Sequence, residues 1–175
     1  EILKVTAKSG GSGRLVFVTV TYRILQAGRI CIREEQDIVY REPAAAMVAP
    51  TPLQTLQEIP PGSWSQAVIP DPVLLFRFSA LTFNAHRIHY DRPYAINEEG
   101  YPGLVVHGPL TAIMLMDLVR CNASRELQGF SFRGRAPLFD LHPFRLVGTA
   151  SETGVDLQAQ GPDGKTTMTA RAEFV

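Results

Sequence analysis

Cysteine is scarce in this chain: Cys31 and Cys121 are the only two in 175 residues, far apart and without metal-type spacing. Two isolated thiols make neither a disulfide framework nor a zinc site, so a reducing, cytoplasmic setting is expected. Charge of one sign is missing too, because Lys+Arg and Asp+Glu both number 17. A protein that displaces counterions from phosphates over a broad surface needs a basic excess, so a general nucleic-acid binder is excluded. No apolar run approaches the ~20 residues that cross a bilayer; the longest, around Leu110–Met116, is far shorter, and no membrane partner is expected. No charged-then-apolar leader opens the chain. It begins with Glu1 and not Met, from which a removed or missing start is expected. The motifs GxSxG, GxxxxGK[ST] and HExxH are absent. What remains is a composition 45% hydrophobic and 19% charged, ordinary for one globular domain or one and a half, and too apolar for disorder.

Leu15–Leu25 alternates apolar and polar residues and is rich in β-branched side chains, which predicts a half-buried strand. Arg29–Tyr40 reads as its partner across a turn at Gln26-Ala27-Gly28. A lone hairpin is marginal in water, so it must join a larger sheet. Between Pro43 and Pro72 seven prolines and Gly62 interrupt the pattern, predicting a linker or wrapping loop in which Trp64 anchors on an apolar surface. Val73–Phe83 (VLLFRFSALTF) reads as another strand. His107-Gly108-Pro109 then opens a helix, with Pro at a first-turn position where a missing N–H costs nothing. Its residues Leu110–Val119 are apolar almost all round, so this helix is buried, and Asn122 is the expected terminator. Phe130–Leu138, Phe144–Ser151, Val155–Gln160 and Thr166–Val175 read as strands, the last two joined by the turn Gly161-Pro162-Asp163-Gly164. One buried helix among several antiparallel strands defines an α+β fold with a curved sheet wrapped round a helix.

Chemistry concentrates in two places. Phe83–Tyr94 (FNAHRIHYDRPY) gathers Asn84, His86, Arg87, His89, Asp91 and Arg92. Histidine is the side chain suited to proton transfer near neutral pH, although a solvated loop with one capping histidine explains the same run. Val106-His107-Gly108-Pro109 sits at a helix start, where unpaired N–H groups and the helix dipole favour a developing anion. Gly108 lets an oxygen approach its N–H closely, although a helix cap alone also accounts for it. His86 and His89 lack a third ligand for a metal. His142 before Pro143 reads as structural, and Arg133 and Arg135 share one strand face.

The runs FSALTFNAHRIHYD and YPGLVVHGPL resemble the MaoC-like hydratase/dehydratase family of hotdog-fold proteins. The likeness is greatest to its branch of mesaconyl-CoA and itaconyl-CoA hydratases and the mitochondrial 3-hydroxyacyl-thioester dehydratase. The resemblance covers Asp71–Val175. It implies a hotdog fold, a long central helix wrapped by an antiparallel sheet. It further implies a double hotdog whose incomplete N-terminal repeat is residues 1–42, with a linker over 43–70 and the C-terminal domain over 71–175. The implied chemistry is reversible addition of water across the double bond of a short enoyl-CoA, dicarboxylic ones of the mesaconyl- and itaconyl-CoA type included. His89 is then the general base, Asn84 orients the water and the Gly108 N–H holds the thioester oxygen. His107, Arg87, Asp91 and Arg92 become substrate-binding positions, with the two arginines meeting nucleotide phosphates. No cofactor beyond the coenzyme A thioester substrate is implied, and the partner is a second hotdog repeat, as a homodimer or pseudo-dimer. The family motif has Asp where this chain has Asn84, which cannot titrate. Either His89 performs both proton transfers, or Asp91 supplies a carboxylate, or the protein binds acyl-CoA without turnover. A fatty-acid 3-hydroxyacyl-thioester dehydratase and a hotdog thioesterase are the remaining alternatives.

Overall fold

A computed structural model describes residues 1–10, 13–41 and 58–175. The chain divides into two compact units, Glu1–Ala45 and Ala46–Val175.

The first unit is an antiparallel sheet of β1 (Ile2–Gly10), β2 (Gly13–Gln26) and β3 (Arg29–Arg41) in that order. The expected hairpin is present, and β1, which the sequence reading did not predict, adds a third strand. Gln26 pairs with Arg29 across a two-residue turn in which Ala27 and Gly28 have φ of 49° and 78°. Two successive positive φ values give the turn a twist that matches the strands it joins. The expected alternation of burial is not realised: the middle of β2 is half-buried on both faces and β3 is almost wholly exposed.

The second unit wraps a five-stranded antiparallel sheet, in the order β4-β6-β7-β8-β5, around one long helix. Its strands are β4 (Trp64–Val68), β5 (Leu127–Gly134), β6 (Phe144–Ala150), β7 (Gly154–Gln160) and β8 (Thr166–Phe174). The period-two pattern places Leu146, Val155, Leu157, Ala159, Met168, Ala170 and Ala172 on one buried face. Helix α3 (Gly108–Asn122) lays Leu110, Ala112, Leu115, Leu118 and Val119 against that face. The turn Gly161–Gly164 closes β7 onto β8, with the Gly164 N–H donating to Gly161 O at 2.9 Å.

Three expectations need correction. The stretch 73–83 is no strand: it forms α1 (Pro72–Leu81). Asp71 accepts from the Val73 and Leu74 N–H groups and Pro72 sits in the first turn, so a strong start signal overrides strand-like composition. The expected linker is not without regular structure, since β4 pairs with β6 from Trp64↔Gly148 to Val68↔Phe144; residues 42–57 of it lie outside the described residues. Trp64 packs against the core, and a Cβ on Gly148 would meet its Cε3 at 3.1 Å. Finally, Asn122 does not end α3 in a left-handed conformation. It lies in the last turn, donating from Nδ2 to Leu118 O at 2.8 Å, and the chain leaves through an extended Ala123.

Candidate active site

The end of α1 determines where the site begins. Phe83 has φ 53° and its N–H donates to Ala80 O, while the Asn84 N–H donates to Ser79 O at 2.9 Å. This pair of bonds is a Schellman closure, with Phe83 at the left-handed position that glycine usually occupies. The closure fixes the backbone of Asn84 directly beyond the helix. The half-buried Asn84 side chain spends Oδ1 on the His86 N–H at 3.0 Å, leaving the Nδ2 hydrogens as its donors.

Residues Arg87–His89 form one 3-10 turn, pinned at Ile88 O by the Val105 N–H at 3.0 Å. The same Val105 accepts from His89 Nδ1 through its carbonyl oxygen at 2.7 Å. A carbonyl can only accept, so Nδ1 carries the proton and the lone pair of the neutral ring lies on Nε2. His89 is 8% exposed. Burial pushes its pKa below the ordinary 6.5, the Val105 bond opposes that shift, and the neighbouring His86 adds to it. A neutral imidazole with a free Nε2 is what a general base needs at neutral pH.

His107 stacks on His89, with ring centroids 3.7 Å apart and an interplanar angle of 18°. It is itself almost fully buried, and burial followed by repulsion from His89 lowers its pKa to about 4. Its Nε2 lies 2.8 Å from Ser79 Oγ, and Phe78 meets its ring edge-on. His107 is also the N-cap residue of α3, so the stack brings the base beside the start of that helix. Gly108 follows, exposed, in the first turn where N–H groups lack intrahelical partners. A Cβ there would meet nothing nearer than Met168 Cε at 3.9 Å. The chain's own packing therefore does not require glycine at 108.

The remaining candidates are engaged elsewhere. Asp91 accepts from Arg87 Nε and Nη2 at 3.0 and 2.7 Å, and its other oxygen caps α2 (Arg92–Asn97) through the Tyr94 N–H. The Arg87 bonds hold the Asp91 carboxyl below the usual carboxylate range, and the Arg87 guanidinium lies over the Tyr94 ring at 4.1 Å. Arg92 pairs with Asp140, whose fully buried carboxylate also accepts the Leu104 N–H at 2.9 Å. That strap ties the strand-like 104–106 segment, which carries the His89 acceptor, to the 138–140 segment. Arg87, Asp91 and Arg92 thus shape the loop that presents His89. Sequence reasoning missed Ser79 because a stretch read as a strand gives no register to a buried Leu75/Ser79 pair at helical spacing. Among the described residues no group of three His, Cys, Asp or Glu is placed to hold a metal ion.

A long helix half-enclosed by an antiparallel sheet is the hotdog arrangement. Residues 2–140 match the family model described as hydroxyacyl-thioester dehydratase type 2, and the chain belongs to that family. It is 62% identical, over 175 residues, to the mesaconyl-C(4)-CoA hydratase of Chloroflexus aurantiacus; the match takes in 99% of this chain and 61% of that protein. It is 36% identical over 129 residues to the mitochondrial hydroxyacyl-thioester dehydratase type 2 of Schizosaccharomyces pombe, covering 72% and 41% of the two chains. The chain thus spans less than two thirds of the length of either relative. Among solved structures, HtdX from Mycobacterium tuberculosis superposes with a TM-score of 0.73 over 98% of this chain and 68% of that one, at 18% identity. The (R)-hydratase of A. caviae involved in PHA biosynthesis gives 0.56 over 63% and 90%, at 16% identity. The expected α+β hotdog fold is borne out.

Proposed function

We propose that this chain carries the catalytic hotdog domain of a hydro-lyase that adds water reversibly to a short dicarboxylic enoyl-CoA, of the mesaconyl-C4-CoA type. The observation that carries the reading is the His89 imidazole: buried, neutral, fixed through Nδ1–H to Val105 O and left with a free Nε2 at the opening of α3. The 62% identity to a mesaconyl-C(4)-CoA hydratase supports the substrate class.

In the hydration direction, Nε2 of His89 takes a proton from water as the oxygen bonds to the β-carbon. The electron pair of the double bond passes into the thioester carbonyl as an enolate. The Gly108 N–H stabilises that oxygen, a kind of donor worth ~3 kcal/mol of barrier. The His89 proton then goes to the α-carbon, so one water is added and the base regenerated. Asn84 has no proton to exchange, and its Nδ2–H donates to the water oxygen, orienting it. The domain works without a cofactor, in the cytoplasm, paired with a second hotdog repeat from the same or another chain. On this view residues 1–42 are the closing strands of that preceding repeat and 71–175 the catalytic one.

The family description equally fits a 3-hydroxyacyl-thioester dehydratase, which runs the same steps on a longer acyl chain. A panel of crotonyl-, longer-chain, mesaconyl- and itaconyl-CoA, followed by loss of the conjugated enoyl-thioester absorbance, separates the two. Turnover confined to the dicarboxylic thioesters is expected. Preference for crotonyl or longer chains moves the protein to the dehydratase reading, and release of free CoA thiol identifies a thioesterase.

A further inference from the structure

We infer that Ser79, on α1, is a positioning residue for the general base, acting through the His107 ring on which His89 stacks. This rests on the hydro-lyase reading for its consequences in turnover, but its geometry stands apart from any substrate. Ser79 is 5% exposed and, with Leu75 one turn before it, makes up the buried residues of α1. Its Oγ lies 2.8 Å from His107 Nε2, whereas His107 Nδ1 is buried without a hydrogen-bond partner. Among the described residues the Ser79 hydroxyl is therefore the polar anchorage of that ring. Phe78 fixes one edge by contact and His89 covers one face.

The bond matters because of what an unanchored His107 would do. With Ser79 replaced by alanine both ring nitrogens would be buried without partners, a cost that drives the ring to turn or admit water. His89 then loses the flat neutral surface that excludes solvent from its own ring. The groups facing His89 are His86 on the same loop, the Val105 carbonyl from the facing segment and His107 from the start of α3. None of them is a carboxylate, so hydration of the pocket moves the His89 pKa in one direction, upward towards 6.5. Ser79 also ties the two halves of the site together: its carbonyl receives the Asn84 N–H while its hydroxyl holds His107.

The test is an NMR titration of the ring resonances in the full chain, which has only four histidines, His86, His89, His107 and His142. Each is assigned by its single His→Gln variant. Ser79→Ala is expected to raise the His89 midpoint and to lower kcat by about tenfold to a hundredfold with KM within about twofold, the pattern of a misplaced catalytic group. Ser79→Thr, which keeps the hydroxyl, is expected to restore both. Should Ser79→Ala not fold, the near-isosteric Ser79→Cys replaces it, with a smaller shift in the same direction. A folded Ala or Cys variant with an unmoved His89 midpoint overturns the assignment, as does a loss that Thr fails to rescue. If wild-type protein hydrates no enoyl-CoA, the functional reading fails while the titration still decides the role of Ser79.

Discussion

His89 and Asn84 stand six residues apart inclusive, yet the fold holds them by different means. His89 is fixed by its own Nδ1 bond to Val105 O, Asn84 by the helix closure behind it. Two predictions follow at this scale. Because the basic form of His89 does the work and burial lowers its pKa from 6.5, hydration should be flat near neutral pH. It should fall only as pH drops through a midpoint below 6.5, read from kcat/KM against pH; a midpoint above 6.5 contradicts the burial argument. Asn84→Ala should reduce kcat by ~10²-fold with little change in KM, since the amide acts on the water and not on the thioester. Equal loss in KM would make Asn84 a binding group. That His89 and His107 come together at the start of α3 was suggested by their chemistry and by the two motifs that carry them. The partners of Asp91 and Arg92 were not legible, because charge on paper does not reveal that Arg87 and Asp140 engage them.

At the scale of elements, α1 shows how a local signal beats composition. VLLFRFSALTF is apolar and partly aromatic enough to read as a strand, but Asp71-Pro72 supplies two cap bonds and a fixed φ. The long central helix and the closing hairpin were legible because their signals agree: Gly-Pro at the start of one, Gly-Pro-Asp-Gly in the turn of the other. The expected burial of that helix all round is not realised, since it buries one face and leaves Ile113 47% exposed. Strands β1 and β4 were hidden, the first in a short polar-apolar mixture and the second between prolines. The end of α1 carries its own prediction. Phe83 is 95% exposed and left-handed at φ 53°, a conformation that costs a non-glycine residue ~1–2 kcal/mol. Phe83→Gly should therefore leave stability unchanged or raise it by up to ~1 kcal/mol, after the entropy glycine loses. Urea denaturation measures this, and a clear destabilisation would mean the exposed ring makes a contact. At Gly154 the opposite holds: a Cβ would sit 2.1 Å from Ala172 O, a backbone atom that cannot step aside. Gly154→Ala should lower stability by ~1–3 kcal/mol, with loss of the folded state as the extreme.

The whole molecule couples the site to its own stability. Unfolded histidine binds a proton near pH 6.5, whereas His107 in the folded chain does so only at about 4. Between those values the unfolded state holds more protons, so stability is full above 6.5 and declines as pH falls to about 4. Thermal unfolding across that range should show the decline, and His107→Phe, which keeps a flat ring, should flatten it. An unchanged slope in that variant would place the acid sensitivity elsewhere. Among the described residues no helix is long and apolar enough to cross a membrane. The hotdog unit has a continuous core between α3 and its sheet, and His89 sits at the one end of that helix where backbone N–H groups are unpartnered.

The most direct test compares wild type and His89→Ala on mesaconyl-C4-CoA, following loss of the enoyl-thioester absorbance while CoA-thioester binding is measured separately by calorimetry. The account predicts hydration by the wild type, a loss of at least ~10³-fold in the variant, as expected for removal of the general base, and binding retained in both. A variant that hydrates within a few fold of wild type would contradict it, because His89 would then not be the group that moves the protons.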